Sequence, residues 1–440
     1  MTARHELINV DQSVKIEAMK RSDALLSSRE AAAYLGIKVE TLYAYASRGL
    51  VKGLPGPRGG GRRYRREDLE PLRARSAGPA AQALRFGEPV LDTRITRMTE
   101  QGPEYRGHLA TDLARGELPF EAVAELLWSG ELPVLPVRWS HDAAVLPWRE
   151  LVRLLPRGGS PLSALALTLP VLGAADPMRF DIEPASVIAR ARQLIPRLAA
   201  SFALVLDPQR LPAALDTGDP VRALALALGV PLRRPALALL RQVLILSADH
   251  ELNTSTFAAR VAASTGADLY ACLAAAVGAF SGPLHGGASE HVEWLVREAG
   301  SPDGVADAVG ERLRRGERLP GFGHPLYRHG DPRVAPLMTL ALAHKPRAPR
   351  VRTVVALIDA MARANRPKPN VDVALAAVCG ALELPIGLGP AMFAIGRSAG
   401  WIAHVLEQQR TRAVLRPRAR FVGDDHAPGG AAADQSSASR

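Results

Sequence analysis

The chain has 440 residues, of which 47% are hydrophobic and only 5% aromatic, and its formal net charge is +11. A chain of this length buries a large core in more than one domain, and apolar content carried by Ala, Leu and Val favours packed helices over sheets. Two cysteines exclude a disulfide framework and an all-thiolate zinc site, and without a signal peptide or a membrane-length apolar run we expect a cytoplasmic protein with no membrane partner.

A helix-turn-helix is predicted near the start of the chain. Residues 1–25 are polar and irregular and are predicted to form a flexible leader. The stretch LLSSREAAAYLGIKVETLYAYASRGLV then shows two short helical patterns joined by a tight turn, with Ser28 as the expected N-cap of the first and Thr41 opening the second. This segment resembles the MerR and excisionase type of helix-turn-helix, and we assign it to a domain over 26–75.

Arginines follow the second helix and suggest a nucleic-acid partner. GLPGPRGGGRRYRRED contains a Gly/Pro turn and then Arg62, Arg63, Arg65 and Arg66, which suits a small winged hairpin that contacts phosphates. The alternative is a degenerate module kept for packing or dimerisation, because a fold does not determine a function. The net charge by itself suggests an anionic partner and names none.

The remainder of the chain is predicted to form a linker, a long helical region and a C-terminal tail. Residues 76–84 are small and proline-punctuated and are predicted to form the linker. Residues 136–250 have apolar positions at helical spacing, and prolines at 170, 184, 196, 208, 212 and 220 are expected to separate several helices. Residues 424–440 have a composition that cannot bury enough apolar area to fold.

Three histidines next to glycine or small polar residues are candidates for acid–base chemistry. His250 lies in ADHELNTST, His285 in SGPLHGGA and His324 in PGFGHPLY, and Asp372 follows in KPNVDVAL. Arg397 comes later, and an arginine binds a carboxylate through its planar fork. A carboxylate base with hydrogen-bond donors for a carbonyl oxygen is the minimal equipment for making an enolate. The sequence has no metal-ligand spacing, no P-loop and no convincing dinucleotide fingerprint.

These segments resemble citrate synthase and 2-methylcitrate synthase in their order and spacing. The resemblance covers roughly residues 85–425 and includes YRGHLATDLA and FEAVAELLWSGELP near its start. It implies an all-α fold with a citrate-synthase-like domain over 85–423. A large helical domain is expected over 85–285 and 384–423, and a small one over 286–383. It also implies a homodimer.

The resemblance implies a role for each candidate residue. Asp372 corresponds to the base that removes a proton from the acyl-CoA, His285 to the residue that stabilises the enol, and His324 to the residue that protonates the ketone oxygen of oxaloacetate. The oxaloacetate ligands would be His250, Arg333, Arg397, Arg416 from the partner subunit, and Phe393 as an aromatic wall. Gly321, Gly323 and Asn370 would contact CoA. No permanently bound cofactor and no metal are expected.

Two functions remain open at this point. The first is an acyltransferase that condenses acetyl-CoA or propionyl-CoA with oxaloacetate to give citrate or 2-methylcitrate and CoA. The alternative is a DNA-binding transcription regulator that uses a citrate-synthase-like body to sense a metabolite. Asp372 favours the enzyme, because a carboxylate sensor gains nothing from a buried acid. His404, outside these motifs, is expected to be a packed structural histidine.

Overall fold

The structure is a computed structural model that describes most of the chain between residues 25 and 416. The described residues are 25–35, 37–47, 51, 53–54, 61–65, 68–69, 91–140, 147–156, 158–327, 329–411 and 413–416. The chain divides into two compact units, Met1–Asp92 and Thr93–Arg440. Arg66, the predicted leader up to residue 24, the linker 76–84 and the tail 424–440 lie outside the described residues.

The N-terminal unit contains the two predicted helices and a small sheet. Its elements are β1 (Leu25–Ser27), α1 (Ser28–Leu35), α2 (Val39–Ser47), β2 (Gly53–Leu54) and β3 (Arg63–Arg65). The sheet is antiparallel with strand order β1-β3-β2, so β2 and β3 form the predicted hairpin. Ala31 and Leu35 of α1, Leu42 of α2 and Tyr64 of β3 are buried together in its core.

The cap of the first helix lies one residue earlier than the sequence analysis places it. Ser27, and not Ser28, caps α1: the backbone N–H of Glu30 donates to Ser27 Oγ at 3.3 Å, and the backbone N–H of Ser27 donates to the Glu30 carboxylate at 2.8 Å. This reciprocal pair is a capping box, which requires the serine three residues before the glutamate. Ser28 uses its hydroxyl differently and donates to the carbonyl of Arg62.

The second unit is mostly helical. Its strands β4 (Thr96–Thr99), β5 (Gly102–Tyr105) and β6 (His108–Leu109) form an antiparallel sheet in that order. The helices are α3 (Ala110–Arg115), α4 (Phe120–Ser129), α5 (Trp148–Leu154), α6 (Pro161–Ala175), α7 (Pro184–Ala200), α8 (Ala203–Leu206), α9 (Leu211–Leu215), α10 (Pro220–Leu228), α11 (Arg234–Ser247), α12 (Thr254–Ser264), α13 (Leu269–Phe280), α14 (Ala288–Ala299), α15 (Val305–Arg314), α16 (Val334–His344), α17 (Pro349–Arg363), α18 (Val371–Ala381) and α19 (Leu388–Thr411).

The prolines separate helices at four of the six predicted positions. Four of the prolines lie in the first turn of a helical segment: Pro184, Pro208, Pro212 and Pro220. A backbone N–H in the first turn has no partner within the helix, so a proline there costs no hydrogen bond. The prediction is wrong at positions 170 and 196, since those prolines lie inside α6 and α7. An interior proline costs about 3 kcal/mol of helix stability, so tertiary packing of the two helices outweighs the local preference.

Helix α19 runs through the core of the second unit and packs against α11, α12, α13 and α4. Its residues from Leu388 to Leu406 are almost all buried. Small residues let the backbones approach closely: a Cβ added at Gly396 would lie 2.5 Å from the carbonyl oxygen of Leu244 in α11. The contact between α11 and α19 is therefore close and rigid, and the site lies at one end of it.

Both cysteines are buried and unpaired, as expected. Among the residues that the structure describes, no helix is long and apolar enough to cross a membrane. The division of 85–423 into a large and a small helical domain stays a prediction.

Candidate active site

One cavity of about 190 Å³ brings together most of the residues selected from the sequence. Its lining comprises His250, Asn253, Phe280, His285, Gly286, Ser289, His324, Arg333, Asn370, Val371, Asp372, Phe393 and Arg397. These residues come from widely separated parts of the chain. His250 follows α11, His285 lies between α13 and α14, Asp372 is in the first turn of α18, and Phe393 and Arg397 lie one turn apart on α19.

His285 is held by side chains from two other helices. Its Nε2 lies 2.8 Å from Ser255 Oγ in α12, and the indole N–H of Trp401 in α19 donates to the same oxygen at 3.1 Å. The ring edge packs on Phe280 with centroids 5.2 Å apart. Burial, assisted by the positive charge of Arg397, lowers the pKa of His285 to about 4. The ring is therefore neutral at pH 7, with its plane fixed.

His324 has a defined tautomer. The backbone N–H of Leu326 donates to His324 Nδ1 at 3.1 Å, so Nδ1 carries no proton and the neutral ring is protonated on Nε2. Burial and the nearby Arg333 guanidinium lower the pKa of His324. A neutral Nε2–H donor is thus available to an oxygen atom in the cavity.

His250 lies next to His324, with ring centroids 5.4 Å apart. Burial, together with the charges of Arg333 and Arg397, holds the pKa of His250 well below its usual range. Its Nε2 is 3.0 Å from the hydroxyl oxygen of Tyr327. All three candidate histidines are therefore neutral at pH 7, because burial disfavours the imidazolium ion and the arginines repel it.

The two arginines of the cavity differ in how their charge is balanced. Arg333 forms a paired contact with Asp331, with Nε 3.0 Å from Oδ1 and Nη2 2.8 Å from Oδ2, and both side chains are almost fully buried. Arg397 donates from Nε to the carbonyl of Ser247 at 2.7 Å and lies over the Phe393 ring at 4.7 Å. Burial lowers the pKa of Arg397 to about 10, so it stays cationic at pH 7.

Asp372 is a carboxyl group with a raised pKa. It lies in the first turn of α18, whose N-cap Asn370 accepts the Asp372 backbone N–H on Oδ1 at 3.0 Å. Burial raises the pKa of Asp372 to about 6, and Arg333 opposes that rise. The carboxylate is consequently present at pH 7 and is more basic than a solvated aspartate. That is the property a general base requires.

A glycine turn brings His324 and Asp372 to the same wall. Gly321 and Gly323 have φ of +80° and +87°, and Phe322 between them pairs with Pro369 in an antiparallel bridge. The backbone N–H of Gly323 donates to the carbonyl of Lys368 at 2.8 Å, and that of Asn370 donates to the carbonyl of Gly321 at 2.8 Å. The segment before His324 is thereby bonded to the segment before Asp372, which aligns the two side chains.

Arg416, like the predicted CoA contacts Gly321 and Gly323, is a predicted site residue that does not line the cavity. It lies beyond the end of α19 and is exposed within the single chain. His404 is buried, with Nε2 3.4 Å from the Asp249 carboxylate, as a packed structural histidine should be.

Several lining or supporting residues, among them Tyr327, Phe280 and Asp331, carry no role in the sequence analysis. Tyr327 and Phe280 contact the candidate histidines, and Asp331 balances Arg333. Asp331 was detectable in principle, since an acid two residues before an arginine can pair with it locally. Tyr327 and Phe280 have no local signal, because their importance comes from packing.

The N-terminal unit places its candidate DNA contacts on α2 and at β3. Thr41 lies in the first turn of α2 and is partly buried, while Arg62 and Arg65 are exposed. Arg63 is half-buried and donates to the carbonyl of Leu25 at 3.3 Å, so it also holds β1 against β3.

Comparison with known proteins identifies both parts of the chain. The family profile described as "Citrate synthase, C-terminal domain" matches residues 85–418. The chain belongs to the citrate synthase family. A second profile, described as "Helix-turn-helix domain", matches residues 25–75 and agrees with the fold of the N-terminal unit.

Relatives in the citrate synthase family cover most of the chain. A citrate synthase of Mycolicibacterium smegmatis is 32% identical over 76% of this chain and 93% of its own. A 2-methylcitrate synthase of Mycobacterium tuberculosis (strain ATCC 25618 / H37Rv) is 33% identical over 77% of this chain and 90% of its own. The chain is accordingly an enzyme of the citrate synthase type, a transferase. Such relatives do not favour the alternative of a transcription regulator.

Solved structures agree on the fold. The citrate synthase of Thermotoga maritima is 27% identical, with a TM-score of 0.62 over 77% of this chain and 95% of that one. A citrate synthase of Thermoplasma acidophilum, solved as a ternary complex with carboxymethyl coenzyme A and oxaloacetate, has a TM-score of 0.66 at 24% identity and covers 76% of this chain and 94% of that one. The mostly helical fold expected from the sequence is confirmed.

Proposed function

We propose that this protein condenses acetyl-CoA or propionyl-CoA with oxaloacetate and releases citrate or 2-methylcitrate and CoA. One observation carries the proposal: a basic carboxylate, three neutral histidines and two arginines line a single cavity. This set suits making an enolate next to a doubly charged keto acid. The acyl-CoA is a substrate, and the proposal includes no permanently bound cofactor.

In the first step Asp372 takes a proton from the carbon next to the thioester carbonyl. The electron pair moves to the thioester oxygen, where a hydrogen bond from His285 stabilises the developing charge. A neutral donor is suited to this task, because it stabilises the enolate by a hydrogen bond without a full proton transfer. The pKa of about 6 for Asp372 supports its role as the base.

In the second step the enolate carbon attacks the ketone carbon of oxaloacetate, so that a carbon–carbon bond forms and the thioester carbonyl re-forms. The ketone oxygen takes a proton from His324, whose Nε2–H is available because Nδ1 accepts a backbone N–H. Water then hydrolyses the thioester of the product: one proton of the water returns to His324, the hydroxide adds to the thioester carbon, and CoA leaves as the thiol with the proton that Asp372 took in the first step. His250, Arg333 and Arg397 would bind the carboxylates, with Phe393 as a wall; Gly321, Gly323 and Asn370 would contact CoA.

We further propose a homodimer in which Arg416 completes the partner's site. Arg416 is exposed and separate from the cavity of its own chain, as this arrangement requires. Helix α6 supports the proposal. Its sequence PLSALALTLPVLGAA is apolar on every side, yet Ala166 and Pro170 are exposed in the single chain, where a partner subunit could cover them. A helix of that kind is normally covered on every side.

Mixing two inactive variants tests the shared site. Asp372→Asn and Arg416→Ala are each expected to be inactive alone, and a mixed dimer has one site with both residues intact. Subunit exchange in an equimolar mixture should restore roughly a quarter of wild-type activity if half of the dimers are mixed. Activity of Arg416→Ala alone, or no recovery in dimers shown by mass to be mixed, would contradict the shared site.

Thiol release tests the reaction. The wild-type protein should release free CoA from acetyl-CoA or propionyl-CoA when oxaloacetate is present, and the ratio of the two rates identifies the substrate. Asp372→Asn should lose about 10²- to 10⁴-fold in rate and still be stabilised thermally by oxaloacetate. An inactive wild type that oxaloacetate still stabilises would overturn the synthase proposal in favour of a sensor.

We also propose that the N-terminal unit binds DNA. The exposed Arg62 and Arg65 on and beside β3, the helix-turn-helix profile and the net charge of +11 support it. Thr41 and Arg63 are further candidate contacts, as is Arg66, which lies outside the described residues.

A further inference from the structure

Tyr327 bridges two histidines of the cavity and has no assigned role. It is 5% exposed and follows His324 by three residues. Its ring lies 4.6 Å from the His324 ring and 5.7 Å from the His250 ring, measured between centroids. Its hydroxyl oxygen is 3.0 Å from His250 Nε2. A tyrosine in this place touches both rings that would face the keto acid.

The protons between Tyr327 and His250 can be assigned. Burial raises the pKa of Tyr327 above its usual value, so the phenol keeps its proton at neutral pH. The pKa of His250 is far below its usual range, so the ring is neutral and has one N–H. Among the described residues the Tyr327 hydroxyl has no hydrogen-bond partner other than His250 Nε2. A phenol is a stronger hydrogen-bond donor than a neutral imidazole, and an imidazole nitrogen is the stronger acceptor, so Nε2 accepts the phenol hydrogen. The ring proton is then on Nδ1, which can donate to a carboxylate of the keto acid.

We propose that Tyr327 is a positioning residue for oxaloacetate binding: its hydroxyl fixes the tautomer and ring plane of His250, while its ring supports His324. The inference rests on the proposed function and extends it to a residue outside the acid–base set. A hydroxyl that donates to Nε2 stabilises neutral imidazole, as do the charges of Arg333 and Arg397 and the neighbouring His324. Tyr327 would thus keep His250 uncharged and oriented before the keto acid arrives.

Tyr327→Phe removes the hydroxyl and keeps the ring. The KM for oxaloacetate should rise roughly five- to tenfold, the effect of one lost hydrogen bond, while the KM for acyl-CoA changes little. The pKa of His250 should rise, so oxaloacetate binding should become pH-dependent where the wild type is flat. Tyr270→Phe is the matched control, since its buried hydroxyl donates to Asp176 away from the cavity. The control should keep both KM values.

Nitrogen-15 NMR of histidine-labelled full-length protein gives a readout that needs no turnover. The variant His250→Gln identifies the His250 resonances, because they are the ones it lacks. In the wild type these resonances should show the Nδ1–H tautomer, and the His250 ring should stay neutral below pH 6. In Tyr327→Phe the His250 ring should titrate at a higher pH than in the wild type. Protonation on Nε2 in the wild type would overturn the proposal without any variant. An identical tautomer, titration and KM in Tyr327→Phe would also overturn it. A wild type without thiol release overturns the synthase instead, because the NMR result is independent of it.

Discussion

The raised pKa of Asp372 has a direct kinetic consequence. A general base acts only when ionised, so the rate should fall as the pH drops through the pKa of Asp372 in the form of the enzyme that binds the acyl-CoA. We expect kcat/KM for the acyl-CoA to lose a factor of ten per pH unit below about 6, the value to which burial raises this pKa. A pH–rate profile at saturating oxaloacetate measures it. A midpoint near 4, the value of a solvated aspartate, would show that burial does not tune this carboxyl group.

The same residue should cost stability at neutral pH. The pKa of Asp372 is about 6 in the folded state against an ordinary value of 3.8. The folded protein therefore binds this proton more tightly than the unfolded chain does, and the free energy of unfolding falls as the pH rises from about 4 to 6. The cost above pH 6 is about 3 kcal/mol by linkage. We expect Asp372→Asn, although inactive, to be more resistant to denaturant at pH 7 than the wild type. Equal stability of the two proteins at both pH 4 and pH 7 would contradict this.

Among the elements, the glycine turn before His324 is sensitive to change. A Cβ at Gly321 would lie 2.5 Å from Val373 Cγ2 and 2.7 Å from Val292 Cγ2, and its φ of +80° disfavours any side chain. Gly321→Ala should therefore lower the free energy of unfolding by about 2–4 kcal/mol. It should also reduce kcat, because His324 and Asp372 are aligned by this turn. Denaturant unfolding and thiol release measure the two effects.

Helix α15 offers a matched control for that substitution. Gly310 lies inside the helix, and a Cβ there meets nothing within 4 Å. Gly310→Ala should stabilise the protein by about 0.5–1 kcal/mol and leave the rate unchanged, because alanine has the higher helix propensity. Equal effects of the two substitutions would show that the positive φ and the close valines at Gly321 do not matter.

For the whole molecule, joining an enzyme of the citrate synthase type to a helix-turn-helix unit predicts salt-dependent DNA binding. Neutralising Arg62 and Arg65 together should weaken binding to duplex DNA and reduce the slope of log K against log salt by roughly 2. Fluorescence anisotropy at several salt concentrations measures both. Arg234→Ala is the control, since this exposed arginine is in the other unit and pairs with Glu117. No binding by the wild type at low salt would refute the prediction.

Much of this protein follows from short stretches of its sequence. Glycines around His285 and His324 and the helix-turn-helix pattern are local features, because capping and backbone freedom depend on neighbours in the chain. These features drew attention to the histidines, and the family resemblance added residues such as Arg333 and Phe393. The interior prolines at 170 and 196 were misread for the complementary reason: helix propensity is local, whereas the packing that overrides it is not.

The chemical state of the site was decided by the tertiary structure. Asp331 balances Arg333, Tyr327 meets His250, and Ser255 with Trp401 orients His285. Burial then makes the histidines neutral and Asp372 basic. The sequence by itself determined which groups are present and which turns carry them. Their protonation and orientation depend on desolvation and on charges from distant segments, which exist only once the helices have packed.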